Sequence, residues 1–172
     1  ATFMEYNKEF VVASRIRVRE LNILNNYKSY MASKIVYYNL VCEKDYIITG
    51  VGGAILMRKH ISDCFIMNDD YIKVAPRTDD LWISHLLFLS GTKVASCVNS
   101  LEQVSEINHN NNSLDSYNNP KISGKNKFLV FNRIFRKVKC YFGIMKSNND
   151  TSIDKIECYF NNYNEGGADE VK

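Results

Sequence analysis

The chain has 172 residues, of which 45% are apolar and 24% are charged, and its formal net charge is +3. These values are typical of one packed globular domain, and they disfavour a wholly disordered chain or a fibrous protein. The sequence has no apolar run close to the roughly 18 residues of a membrane span and no start typical of a signal peptide, so we expect neither.

Five widely spaced cysteines form no CxxC pair, which fits neither a disulfide framework nor a zinc site. We interpret them as reduced thiols of a cytosolic protein: Cys42, Cys64, Cys97, Cys140 and Cys158. The first residue is Ala1 and a predicted strand follows almost at once, so we expect the beginning of a longer protein to be missing.

Residues 9–18 begin with a β-branched apolar cluster and then alternate between arginine and aliphatic residues, which predicts one half-buried strand. The alternation places the guanidinium groups of Arg15, Arg17 and Arg19 on one face. Two interpretations stay open for that face. The favoured one is ordinary surface arginines on an edge strand, and the other is a face that binds anions or orients hydroxyl groups.

Residues 45–58 contain a short apolar strand, a glycine cluster and a second apolar run. Three glycines in four positions, Gly50, Gly52 and Gly53, indicate a sharp bend of the backbone or the close approach of another group. The cluster lacks the lysine and serine of a phosphate-binding loop.

The segment that follows Pro76 predicts a helix over residues 79–90. Thr78 is a favourable N-cap, Asp79 and Asp80 occupy the first turn, where the helix dipole favours negative charge, and Gly91 is placed to end the helix. Apolar residues then recur at helical spacing, which predicts a mostly buried helix: Trp82, Ile83, Leu86, Leu87 and Leu89. Residues 92–98 follow as a predicted strand.

Two roles are open for Asp79 and Asp80. They stabilise the start of the helix, or one accepts a proton as a general base while the other orients it. We expect the helix dipole to lower the pKa of both carboxyls. Trp82 also has two interpretations, packing in the core, which we favour, and stacking on a sugar ring.

The last third of the chain is unevenly charged. Residues 121–146 carry eight Lys and Arg and no Asp or Glu, whereas residues 147–172 carry two basic and six acidic residues. An asparagine-rich stretch at 108–126 predicts a linker between residues 1–107 and residues 127–172. The latter are expected to form a basic amphipathic helix, with Phe128, Phe131, Phe135, Val138 and Phe142 opposite Arg133, Arg136, Lys137 and Lys139, followed by an acidic tail. The basic segment is either a solvated face neutralised by that tail or a surface for anionic membrane.

Taken together, three motifs of residues 9–98 resemble the acceptor half of bacterial GT-A glycosyltransferases of the family 2 type. The motifs are Thr49-Gly50-Val51-Gly52-Gly53, Pro76-Arg77-Thr78-Asp79-Asp80-Leu81-Trp82 and Leu89-Ser90-Gly91-Thr92-Lys93-Val94. The family commonly has P-T-A-D-D-I-W and N-G-T-K at the second and third. The resemblance implies an α/β fold, a partial GT-A (Rossmann-like) domain with a mixed sheet and flanking helices, and with its N-terminal donor-binding half absent.

The same resemblance implies an inverting transfer of a sugar from a nucleotide sugar to the hydroxyl of a glycan or a lipid-linked acceptor. Asp80 would be the catalytic base and Asp79 its partner. Gly52, Gly53, Trp82 and Arg15 would contact the acceptor. Such an enzyme makes capsule, lipopolysaccharide or other surface polysaccharide, in the cytoplasm or peripherally on the inner face of the membrane.

In the complete enzyme the resemblance implies a divalent metal, Mn or Mg, but we identify no ligand for it in this chain. The other acidic pair, in Asn68-Asp69-Asp70, is expected in a surface loop. An alternative from another class is a non-enzymatic binding module that contacts membrane or nucleic acid through residues 127–146. The sequence has no zinc-finger spacing, RNP-like strand or clear helix-turn-helix, so we expect no nucleic acid partner.

Overall fold

The computed structural model describes residues 5, 8–50, 52–103 and 129–166, and their fold is mixed α/β. A four-stranded mixed sheet forms around the buried strand β1, in the order β4-β7-β1-β6. β1 runs parallel to β7 and antiparallel to β6, with Val12 opposite both Ala95 and Ile55. The strands span β1 Val11–Ala13, β4 Val41–Cys42, β6 Ala54–Ile55 and β7 Val94–Ser96. The strand predicted over residues 92–98 is confirmed as β7.

A second, antiparallel sheet has the order β3-β2-β5. Its strands are β2 Ile16–Val18, β3 Lys34–Ile35 and β5 Tyr46–Ile48. The prediction of one strand over residues 9–18 is therefore wrong, because the chain leaves the first sheet at Ser14 and joins the second at Ile16. Ser14 donates its N–H and its hydroxyl to the carbonyl of Gly53, and the carbonyl of Arg15 accepts the N–H of Thr49. β2 is a central strand, so the expectation of arginines on an edge strand is also wrong.

The predicted central helix is present as α3, Asp79–Leu89. Its end has the hydrogen bonds of a Schellman motif, from the N–H of Gly91 to the carbonyl of Phe88 and from the N–H of Thr92 to the carbonyl of Leu87. Gly91 has a φ of 69°, the left-handed conformation that such a helix end requires. Thr78 precedes the helix, but its side chain makes no capping hydrogen bond.

Short helical segments connect the strands and α3. They comprise the 3₁₀ turns Tyr30–Ala32 and Arg58–His60 and the helices α1 Asp63–Ile66, α2 Tyr71–Val74 and α4 Val98–Glu102. Asn68-Asp69-Asp70 forms the connection between α1 and α2, as expected for a loop.

Residues 129–166 contain two helices, α5 Leu129–Tyr141 and α6 Asn148–Gly166. The amphipathic helix predicted in the basic segment is confirmed as α5. The prediction of an acidic tail is wrong for residues 148–166, because they form a helix that packs on the domain. Ile153, Ile156 and Phe160 of α6 are buried in one core with α3 and both sheets. The predicted linker over residues 108–126 lies outside the described residues.

All five cysteines are free thiols, as expected. No helix in the described part of the chain combines the length and the apolar character needed to cross a bilayer.

Candidate active site

Five segments of the chain meet near the start of α3. They are the turn between β1 and β2, strand β2, the 3₁₀ turn Tyr30–Ala32, the end of β5 and the first turn of α3. The side chains and backbone groups that they bring together are called the Asp80 cluster: Arg15, Arg17, Tyr30, Thr49, Gly50 and Asp80.

Asp80 is a half-buried carboxylate held by backbone donors. It accepts the N–H of Leu81 at 2.9 Å and also the N–H of Gly50. Burial raises the pKa of the Asp80 carboxyl, and the charge of Asp79 adds to the rise, while the backbone N–H groups oppose it. The expectation of a lowered pKa is wrong for Asp80, because loss of hydration outweighs the donors at the helix start.

Asp79, the expected partner of Asp80, acts on the Asp80 carboxyl through its negative charge. Its side chain is exposed at the helix start, where the dipole favours an anion. The negative charge of Asp79 favours the protonated form of Asp80. A carboxylate that is harder to ionise is a stronger base once it is ionised, so the pair suits proton abstraction.

Two arginines and Asp80 act electrostatically on Tyr30. The Nε of Arg15 donates to the Thr49 hydroxyl at 2.8 Å, and the Arg17 guanidinium carbon lies 5.0 Å from the centroid of the Tyr30 ring. Burial raises the pKa of the Tyr30 hydroxyl, Arg17 opposes the rise, and the charge of Asp80 adds to it. These groups therefore lie within electrostatic reach of one another.

Arg17 combines a satisfied and an unsatisfied donor. Its Nη1 donates to the carbonyl of Ser33 at 2.9 Å, whereas its buried Nε has no acceptor in the part of the chain that the structure describes. A buried donor without an acceptor is uncommon and costly. Arg17 thus leaves one buried donor unpaired beside Tyr30.

The glycine cluster forms an exposed turn next to Asp80. Gly53 donates its N–H to the carbonyl of Gly50 at 3.4 Å, and Gly52 and Gly53 both have a φ of 81°. A Cβ on Gly50 or Gly53 would meet no atom within 4 Å. The left-handed conformation at Gly52 and Gly53 therefore favours glycine. The space around Gly50 and Gly53 is open.

Trp82 lies on the side of α3 that packs in the core, away from the Asp80 cluster. It is 3% exposed, and its ring lies 5.0 Å from Phe160 and 5.6 Å from Tyr159, measured between centroids. This placement agrees with the favoured interpretation, packing in the core. It leaves no exposed face of the indole for a sugar, so we remove Trp82 from the predicted acceptor contacts.

Ser84 positions Asp80, and sequence reasoning missed it. The Ser84 hydroxyl donates to the Asp80 carbonyl at 2.6 Å and accepts the N–H of Ile48 at 2.9 Å. It thereby fastens the first turn of α3 to the outer edge of β5, whose end carries Thr49 and Gly50. A lone serine within an apolar helix gives no signal of this role.

A separate cleft of about 360 Å³ lies between α3, α6 and the second sheet. Its polar lining is paired, with an Arg19–Glu157 ion pair at 2.5 Å and a hydrogen bond from Tyr27 to Asp45 at 2.5 Å. Burial lowers the pKa of His85, which also lines it. The residues that line this cleft do not include Asp80, so it is distinct from the Asp80 cluster.

The described residues do not fit the divalent metal that the resemblance implies. They contain no group of three or more His, Cys, Asp or Glu side chains placed to hold an ion. Asp70 of the other acidic pair is instead engaged by the Tyr159 hydroxyl at 2.7 Å and by Lys73 at 3.0 Å.

Comparisons with known proteins do not assign the chain to a family. No protein-family model, curated protein or solved structure compared with this chain matches it.

Proposed function

We propose that this chain is the acceptor side of an inverting glycosyltransferase and that Asp80 is its general base. The observation that carries the proposal is the half-buried Asp80 carboxylate of raised pKa, which accepts the N–H of the exposed Gly50 and acts electrostatically on Tyr30. The motif resemblance of residues 9–98 supports the same role for Asp80.

The reaction follows from the chemistry of direct displacement. Asp80 takes the proton of an acceptor hydroxyl, the acceptor oxygen forms a bond to the anomeric carbon, and the bond from that carbon to the nucleoside diphosphate breaks. Arg15 would donate a hydrogen bond to a neighbouring hydroxyl of the acceptor and hold the reacting one near the carboxylate. A positioned general base contributes about 10²- to 10⁴-fold in rate.

The donor site, the metal and the acceptor class are also proposed, and none of them is assigned to described residues of this chain. A nucleotide sugar would bind to a donor half outside the described residues, and we assign no group of this chain to a metal. The acceptor class we propose is a glycan or a lipid-linked sugar for surface polysaccharide, with the enzyme acting on the cytoplasmic face of a membrane.

The test is to map saccharide binding on this chain by backbone-amide NMR, using a panel of neutral and acidic oligosaccharides at millimolar concentration. We expect shifts at the amides of Gly50, Gly53 and Leu81. Asp80→Ala should weaken binding about tenfold or more, because it removes a charged hydrogen-bond acceptor. Asp69→Asn is the matched control, since Asp69 is an exposed acid of a loop, and it should bind like the wild type.

Nucleotide sugars with manganese are then added, and release of nucleoside diphosphate is followed. Any transfer should fall about 100-fold or more in Asp80→Asn if Asp80 is the base. Absence of binding across the panel, shifts confined to other surfaces, or transfer that survives in Asp80→Asn would overturn the proposal.

A further inference from the structure

In the described part of the chain, helix α5 contacts the domain along the side of Arg136 and Cys140 and, at its last residue, through Tyr141, whose ring centroid lies 4.9 Å from the Lys28 ammonium. The Nη2 of Arg136 lies 3.5 Å from the Met31 sulfur, and Cys140 is 6% exposed. The carbonyl of Cys140 also accepts the N–H of Ser29 at 2.9 Å. The side that carries Arg136 and Cys140 is therefore the side that faces the protein.

The opposite side of α5 exposes apolar side chains. Ile134, Phe135 and Val138 are 57%, 55% and 45% exposed. At about 100° per residue they fall within an arc of about 100°, whose centre lies roughly 170° from the Arg136 and Cys140 side. The apolar stripe of this amphipathic helix thus points away from the domain, which is the reverse of a helix that contributes to a core.

Basic residues border the exposed apolar arc. Lys137 lies along one edge, with the exposed Arg133 farther round the helix on the same side, and Lys139 lies along the other edge. The Lys139 ammonium sits 4.5 Å from the centroid of the Phe135 ring. Neither Arg133 nor Lys137 forms an ion pair with any described residue. Arg136, by contrast, is half-buried against Met31, so it does not belong to this exposed set.

The acidic residues of α6 do not neutralise α5. Glu157 pairs with Arg19, and Asp154 pairs with Lys146 beyond the end of α5. Asp150 accepts the N–H of Tyr30 at 2.6 Å and the hydroxyl of Ser29 at 2.8 Å. Of the basic segment over residues 121–146, the described acidic residues of α6 therefore neutralise Lys146, but they pair with neither Arg133 nor Lys137 of α5.

We propose that the exposed face of α5 binds in the plane of an anionic lipid bilayer. The apolar side chains enter the boundary between headgroups and acyl chains, and the flanking ammonium and guanidinium groups reach the lipid phosphates. Charge complementarity selects this occupant, because an apolar arc edged by cations on both sides matches an apolar layer covered by anions. This inference does not depend on the proposed glycosyl transfer. If both hold, the turn Tyr30–Ala32, which contacts α5 through Met31 and the Asp80 cluster through Tyr30, links the membrane surface to the base.

The test is co-sedimentation of the full chain with phosphatidylcholine vesicles that contain either no anionic lipid or about 30% phosphatidylglycerol. Binding is expected only with the anionic vesicles and is expected to weaken with salt. The triple variant Arg133→Gln, Lys137→Gln, Lys139→Gln should bind about 100-fold more weakly, since each basic residue near an anionic surface is worth roughly fivefold in affinity. Its matched control replaces three exposed lysines elsewhere, Lys8, Lys44 and Lys155, by Gln, and should bind like the wild type.

A second pair of variants tests the apolar arc. Ile134→Ser with Val138→Ser should weaken vesicle binding at least about tenfold, because burial of their side chains is lost. Ile23→Ser with Ile72→Ser removes two apolar residues of other segments that are more exposed than Ile134 and Val138, and vesicle binding should stay unchanged. Every substituted side chain except the half-buried Lys139 is exposed, so circular dichroism should show wild-type spectra.

Four results would overturn the proposal. The first is equal binding to both kinds of vesicle, and the second is equal binding by the triple variant and its control. The third is tighter binding to a single-stranded nucleic acid than to anionic vesicles. The fourth is a stable dimer that dissociates in the variant Ile134→Ser with Val138→Ser. The last two would assign the face to nucleic acid or to a second copy of the chain.

Discussion

Replacing Ser84 by alanine removes the hydroxyl that joins α3 to the edge of β5. In the wild type this hydroxyl accepts the N–H of Ile48 at 2.9 Å, and Ile48 and Ser84 are 6% and 3% exposed. Because β5 is the outermost strand of its sheet, no neighbouring strand can supply a new acceptor for that N–H. The site is too buried for bulk water to replace the hydroxyl without rearrangement.

The magnitude follows from the group that is left without a partner. A buried donor that loses its acceptor costs about 1–3 kcal/mol. Loss of the hydroxyl costs less at the carbonyl of Asp80, because this helical carbonyl can still accept the backbone N–H of residue 84. Alanine has the better helix propensity by about 0.5 kcal/mol, which offsets part of the loss. We therefore expect Ser84→Ala to lower the free energy of unfolding by about 1–2 kcal/mol and Tm by about 2–8 °C.

Urea denaturation followed by circular dichroism measures this change. Ser152→Ala is the matched control, because Ser152 also lies within a helix and its side chain makes no hydrogen bond in the described residues. That control should be as stable as the wild type or slightly more stable. A Ser84→Ala midpoint and slope equal to those of Ser152→Ala would refute the reasoning that this hydroxyl anchors the helix of Asp80.

Two further predictions concern the Asp80 cluster and the adjoining turn. Since the folded-state pKa of Asp80 is raised, its ionisation opposes folding, and the stability present at acidic pH is lost as pH rises through the folded pKa. Asp80→Asn should therefore raise Tm at pH 7 relative to the wild type, with the difference shrinking towards low pH. Gly53→Ala should lower stability by about 1–2 kcal/mol, because Gly53 has a φ of 81°. Gly50→Ala should stay within about 0.5 kcal/mol of the wild type, because Gly50 is not left-handed and has open space.

Thermal unfolding at several pH values checks the first of these, and Asp69→Asn serves as its control because Asp69 is exposed. The stability of Asp80→Asn is compared with that of the wild type at each pH. A difference that favours the variant less at pH 7 than at low pH would contradict the expected direction of the pH dependence. The glycine pair is checked by urea denaturation. Equal losses for Gly53→Ala and Gly50→Ala would show that the left-handed conformation is not what requires glycine there.

The sequence alone determined the elements whose signals are local. The start and end of α3 follow from Asp79, Asp80 and Gly91, because capping and dipole effects act within one helical turn. The strand β7 and the helix α5 likewise follow from the apolar period of a few neighbouring residues. The resemblance to family 2 glycosyltransferases also came from sequence alone, and the function drawn from it stays a prediction.

Only the tertiary structure decided how those elements meet. The break at Ser14 depends on the carbonyl of Gly53, 39 residues away. Burial of α6 depends on partners such as Trp82, and it turned an apparently acidic tail into part of the core. Local sequence places Asp80 at a helix start and predicts a lowered pKa. The fold removes water from that carboxyl, and desolvation, which depends on every segment packed around it, raises the pKa instead.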